Sequence, residues 1–179
     1  MKKNITIIYG SPRKNGNSDK LGQAFAKGAN MSNHSVSEFY LRDLKVNGCI
    51  GCEFCYENFG ECSQKDDMVS ISKRLYETDI LVLVTPIYYQ SFTAQLKSFI
   101  DRLYISENKP LPISGAILLA SYATPGEEMS LVTKMYFDTL LDYHDWKNLG
   151  NLFVSGMDDK NDIDNHTILE EAFLLGKNV

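Results

Sequence analysis

Apolar residues recur along this chain in two periods, and the two alternate. Residues 4–9 (Asn-Ile-Thr-Ile-Ile-Tyr) are a β-branched run stopped by Gly10-Ser-Pro, the pattern of a buried strand entering a turn. Leu21, Ala24, Phe25 and Ala29 then fall at helical spacing over residues 18–29, with Asn17 or Ser18 as the cap. Residues 36–41 alternate weakly as a second strand, and Asp66 or Asp67 caps a helix through Met68, Ile71 and Leu75. Residues 79–85 are almost continuously apolar, as a strand covered on both faces must be. A helical face of Phe92, Leu96, Phe99, Ile100 and Leu103 follows, then a fourth strand at 113–120 and a helix over 126–143. A fifth strand at 146–154 and a closing helix at 168–175 complete the pattern.

Strand–helix alternation with right-handed crossovers predicts an α/β fold with a parallel sheet covered on both faces. Five strands suit the order 2-1-3-4-5, in which a ligand sits at the switch point beyond strands one and three. The expectation is a single domain over 1–179. One segment breaks the rhythm: residues 45–65 lack either period and far exceed the roughly 2–6 residues usual between such elements.

Gly10-Ser-Pro-Arg-Lys-Asn-Gly-Asn-Ser18 lies between the first strand and the first helix. Gly10 permits a sharp turn, Ser11, Asn17 and Ser18 offer polar donors, and the helix start points unpaired N–H groups at the same space. Arg13 adds a cation whose fork of donors matches phosphate oxygens. Neither a Walker Gly-Lys-Ser/Thr ending nor a Gly-x-Gly-x-x-Gly dinucleotide pattern is present, so a monophosphate is the expected ligand.

With a second block, Thr85-Pro-Ile-Tyr-Tyr-Gln-Ser-Phe-Thr-Ala-Gln-Leu-Lys-Ser-Phe-Ile-Asp-Arg102, this loop resembles the NADPH-dependent FMN reductase family of flavodoxin-like proteins. The resemblance implies that Ser11, Arg13, Asn17 and Ser18 hold the FMN phosphate. It places Pro86, Ile87, Tyr88 and Tyr89 along the isoalloxazine. Ser121 and Tyr122 open the loop after strand four, at the flavin's outer rim, where many relatives are richer in glycine. It also implies NAD(P)H as co-substrate and a homodimer or dimer of dimers, with Tyr88, Tyr89 and the 92–103 helix near the interface.

All four cysteines of the 179 residues, Cys49, Cys52, Cys55 and Cys62, fall inside the overlong loop. Such close spacing lets one loop wrap a [4Fe–4S] cubane. Three other readings stay open: structural zinc, a thiol–disulfide pair, and a flavoprotein carrying no metal. The pattern looks like the compact cysteine motif of iron–sulfur flavoproteins, a branch of the same group, and departs from the ferredoxin run in having Ser63 rather than proline after its last cysteine. Glu53, Glu57, Glu61, Asp66 and Asp67 surround the thiols, and such negative charge lowers a cluster's potential.

Composition narrows the classes further. With 44% apolar residues the chain buries a sizeable core, and a net charge of −5 argues against nucleic acid. The short apolar run at the N-terminus makes neither a signal core nor a membrane span, so a cytoplasmic location, with reduced thiols, is expected. His34, His144 and His166 are scattered, and no Ser-His-Asp set or carboxylate pair marks a catalytic residue. A flavin oxidoreductase drawing on NAD(P)H or a ferredoxin-type donor, and an electron carrier or redox sensor without small-substrate turnover, both fit these residues.

Overall fold

A computed structural model describes residues 1–179. Five strands, β1 (Asn4–Tyr9), β2 (Ser35–Tyr40), β3 (Ile80–Pro86), β4 (Gly115–Ser121) and β5 (Lys147–Val154), form one all-parallel sheet in the order β2-β1-β3-β4-β5. The expected flavodoxin-like order is therefore observed. Six helices accompany them: α1 (Asn17–Met31), α2 (Phe54–Glu57), α3 (Met68–Leu75), α4 (Ala94–Asp101), α5 (Leu131–His144) and α6 (Ile168–Asn178).

The period of two along each strand sorts the core into two halves. Ile5, Ile7, Val82, Val84, Ile117 and Leu119 face α1 and α6. Ile8, Leu81, Leu83 and Leu118 point the other way, against α3, α4 and α5. Central strands covered on both faces have no polar side to show, hence their unbroken apolar runs.

Three departures from the sequence expectation have a local reason. The helix expected from residue 126 opens with a 3₁₀ turn, Glu127–Ser130, and becomes α-helical only at Leu131, because Gly126 sits at φ 121° and cannot join a right-handed helix. The 92–103 helix begins at Ala94, with Thr93 extended as its cap, and tightens into a 3₁₀ stretch at Arg102–Ser106. In the cysteine loop one helical turn, α2, carries Cys55. Four residues are too few to display a period.

The apolar face of α4 is core: Leu96, Phe99 and Ile100 are buried beneath the sheet. Exposed apolar side chains include Leu131, Val132 and Met135 on α5, Tyr88 and Tyr89 after β3, and Ile50, Phe54, Tyr56 and Phe59 in the cysteine loop. No helix is long and apolar enough to cross a membrane.

Candidate functional site

β1 and β3 are neighbours whose crossovers leave in opposite directions, and the loops beyond their carboxyl ends part to form a crevice. Gly10 must lie close to α4 here: a Cβ on it would stand 2.7 Å from Leu96 Cβ and 3.0 Å from Thr93 Oγ1. Thr93 Oγ1 donates to the Gly10 carbonyl at 2.7 Å and accepts from Leu96 N at 3.3 Å, locking the turn to the start of α4. Thr93→Val should lower the unfolding free energy by about 2 kcal/mol, from a lost cap and a stranded carbonyl, as read by urea denaturation.

A cleft of ≈ 210 Å³ opens above this turn. Ser11, Arg13, Asn17, Ser18, Pro86, Ile87, Tyr88, Ser121 and Tyr122 line it, which brings together every residue expected at the flavin except Tyr89. Asn17 and Ser18 do not cap α1 as expected. They are its first two residues, Gly16 is the cap position, and no side chain caps the helix. Its first-turn N–H groups and dipole therefore face the cleft, which suits an anion.

The donors differ in their freedom. Ser11 Oγ accepts from Arg13 N at 3.2 Å and so shapes the turn. Asn17 spends its side chain on a distant segment, donating Nδ2 to the Asp159 carbonyl at 2.7 Å and accepting from Ile163 N at 3.3 Å. What it offers a ligand is its backbone. Arg13 is exposed and donates only weakly, Nη1 to the Asp158 carbonyl at 3.5 Å.

Beneath the turn lies a pair that the sequence did not reveal. Asp19, fully buried, accepts from Arg42 Nη1 at 3.0 Å and from Asn15 N at 2.8 Å, while Arg42 Nη1 also reaches the Ser11 carbonyl at 3.3 Å. Burial raises the Asp19 carboxyl above its ordinary value, against the pull of Arg42 and the Asn15 amide. The Arg42 guanidinium rests 4.6 Å from the Tyr40 ring centroid, and Tyr40 stacks on Tyr9 at 4.2 Å. An acidic residue in a first helical turn is common, so the only sequence signal was an arginine just past β2.

After β3 the chain crosses to β4, with Ile87 N donating to the Ser121 carbonyl at 2.8 Å, and then reverses. Tyr88 and Ser91 exchange two backbone hydrogen bonds around Tyr89 and Gln90, at φ 47° and 66°. A turn with both central residues left-handed normally takes Asn-Gly, and neither is present. Tyr89 is thereby held fully exposed at the rim of a second cleft, ≈ 290 Å³, which shares Ile87, Tyr122 and Ala123 with the first. Thr133 Oγ1 on α5 donates to the Gln90 carbonyl at 3.0 Å and steadies the tip.

The cysteine loop lies apart from both clefts. Cys49 and Cys52 are exposed, Cys62 is half-buried and Cys55 is buried; all four are free thiols. Hydrogen bonds reach three of the sulfurs: Gly51 N donates to Cys49 Sγ at 3.5 Å, Ser63 Oγ lies 3.2 Å from Cys52 Sγ, and Arg102 Nη2 donates to Cys62 Sγ at 3.3 Å. The Ser63 hydroxyl, with help from the Phe54 amide, lowers the Cys52 thiol below its usual value, whereas burial, then Cys62 and Cys49, push Cys55 up. As a donor set, four thiols on one loop fit an iron–sulfur centre. They are not drawn to one point, and no three Cys, His, Asp or Glu side chains are placed to hold a metal ion. In metal-free protein iodoacetamide should modify Cys52 well before Cys55, checked by peptide mass spectrometry; equal rates would contradict this ordering of the thiols.

The histidines sit elsewhere. His34 Nδ1 accepts from Lys3 N at 3.0 Å ahead of β2, His166 Nδ1 accepts from Ile168 N at 3.1 Å ahead of α6, and His144 stacks on Trp146 at 4.4 Å.

Residues 3–158 match the family model described as NADPH-dependent FMN reductase. The chain belongs to that family. Among curated relatives of this FMN reductase family member, an iron–sulfur flavoprotein of Archaeoglobus fulgidus is 40% identical over 103 residues, 58% of this chain and 46% of that protein. An iron–sulfur flavoprotein of Methanocaldococcus jannaschii is 32% identical over 127 residues, 69% of this chain and 65% of that protein. The chain thus spans about half to two thirds of the length of these relatives. In fold it is similar to an NAD(P)H:quinone oxidoreductase from Methanothermobacter marburgensis, at TM-score 0.81 and 19% identity over 99% of this chain and 96% of the other. It is similar too to an azoreductase from Bacillus anthracis, at TM-score 0.74 and 18% identity over the whole of both chains.

Proposed function

We propose that this protein is an FMN-dependent NAD(P)H oxidoreductase of the iron–sulfur flavoprotein branch, folded as one domain over 1–179. The observation that carries this reading is the switch-point cleft, where nine of the ten residues expected at the flavin meet under the uncapped start of α1. These residues fit FMN: the helix N–H groups and Arg13 take the phosphate, Pro86, Ile87 and Tyr88 the ring, and Ser121 and Tyr122 its rim. Bound there, FMN supplies hydride acceptance and one-electron exchange. The chain's own work is to orient: Asp19 and Arg42 fix the phosphate turn, and the bonded Tyr88–Ser91 hairpin fixes the ring wall. NAD(P)H and the electron acceptor approach from the second cleft beside Tyr89.

Cys49, Cys52, Cys55 and Cys62 hold one [4Fe–4S] cluster in this reading. Their spacing, their free-thiol state and the similarity to iron–sulfur flavoproteins support it. Binding requires the exposed Cys49–Cys52 end of the loop to fold onto the other two. Steady-state NADPH oxidation by flavin-loaded protein, with a quinone as acceptor, tests the enzymatic reading. Negligible turnover that rises only with a reduced ferredoxin-type partner would replace it with an electron carrier.

Subunits of the homo-oligomer meet across Leu131, Val132 and Met135, whose exposure on α5 adjoins the Tyr89–Gln90 tip through Thr133. Met135→Lys should shift FMN-loaded protein from dimer to monomer in light scattering, and an unchanged mass would move the interface off α5.

A further inference from the structure

The largest buried polar side chain in the molecule serves neither cleft. Arg102, its side chain only 1% exposed, stands at the end of α4 beneath the cysteine loop. Nη1 donates to the Asn47 carbonyl at 3.1 Å and to Asp66 Oδ2 at 2.8 Å; Nη2 donates to Asp66 Oδ1 at 3.0 Å and to Cys62 Sγ at 3.3 Å. Asp66 Oδ2 also accepts from Asn47 N at 2.9 Å, and the next rung outward is the pair Lys45 N to Asp67 Oδ2, 2.7 Å, with Asp67 N returning to the Lys45 carbonyl at 3.0 Å. One guanidinium therefore bridges both stems of the loop and touches one of its four sulfurs.

We infer that Arg102 is a positioning residue for the cysteine loop: it clamps the two stems, so that only the tip must move for four thiols to meet, and it sets a charged N–H donor on the Cys62 sulfur. The electronic half of this inference rests on the iron–sulfur reading above; the clamp does not. Three features point this way. A buried ion pair is on average no more stabilising than apolar packing, so an arginine in a stripe otherwise made of Leu96, Phe99 and Leu103 is a choice of geometry rather than of stability. Its fork reaches Asn47, Asp66 and Cys62 at once, which a lysine's single ammonium cannot. Donors to cluster sulfurs raise the reduction potential by stabilising the added negative charge. Here a cation offsets the acidic residues crowded along the loop. The same helix is pinned at its other end to Gly10 by Thr93, so α4 is the strut between the phosphate turn and the cysteine loop.

The test uses full-length wild type, Arg102→Lys and Asp66→Asn, each purified without air and reconstituted with iron and sulfide. Labile sulfide per chain, cluster reduction potential, FMN affinity and, in metal-free protein, amide exchange over residues 45–67 are measured. In metal-free Arg102→Lys the stem amides should exchange about tenfold faster, as expected when a stapled segment opens locally. Its cluster should form at lower occupancy and with a more negative potential, while FMN affinity holds. Asp66→Asn should loosen the stems too, yet shift the potential the opposite way, since it removes a negative charge and leaves the arginine. Wild-type exchange and potential in Arg102→Lys overturn the inference, and so do shifts of one sign in both variants, which would mean general loosening. Wild type that takes up no cluster would sink the iron–sulfur reading, and the clamp then stands or falls on exchange alone. Should Arg102→Lys fail to fold, unchanged exchange in Asp66→Asn overturns the clamp.

Discussion

Arg13→Ala is expected to weaken FMN binding about tenfold to a hundredfold, because a charge-assisted bond to phosphate is worth roughly 1.5–3 kcal/mol. Riboflavin, which has no phosphate, should bind the variant as it binds wild type. The contrast follows from geometry. Arg13 is exposed, its one internal bond is a weak 3.5 Å contact, and it lines the cleft beside the uncapped helix start, so it has little to lose by turning to a phosphate. Truncation leaves the turn intact, since the turn is built by Ser11, Asp19 and Arg42 through backbone groups. Fluorescence titration with both flavins is the measurement, and equal loss for the two would remove the phosphate assignment.

How much of this was legible beforehand depends on whether a contact is local. Strands β1, β3 and β4 announced themselves because both of their faces are buried, which leaves an apolar run with no polar register to confuse it. That residues 10–18 would form a turn opening onto the start of α1 was legible because its glycine, hydroxyls and helix start are contiguous in the chain. The partners of Asn17 were not, since Asp159 and Ile163 come from the far side of the molecule, 142 and 146 residues away. Arg102 was hidden for a different reason: arginine ending a helix ordinarily reaches solvent, and only packing shows it enclosed. On α4 the period was legible and what it packs against was not, because an apolar stripe has the same spacing whether it meets the core or a partner.

Cys55→Ala is expected to abolish the cluster's broad visible absorption while FMN remains fully bound. Loss of one of four thiolates leaves an iron without its protein ligand. No residue between 45 and 65 lines the flavin cleft, so the two sites should separate cleanly. Cys55 is the most informative of the four to remove. It is the buried one, fixed on α2 as part of the core half that also holds Ile105, around which the exposed thiols would gather. Alanine there keeps the helical turn and removes only a sulfur, at a stability loss of about 1 kcal/mol. Cys52→Ala, at an exposed residue whose sulfur meets only the Ser63 hydroxyl, should lose the same absorption with stability within about 0.5 kcal/mol of wild type. Agreement between the two variants would tie the absorption to ligation rather than to packing. Anaerobic wild type with one zinc and no labile sulfide would refute the cluster, and free thiols without metal would leave an FMN reductase alone.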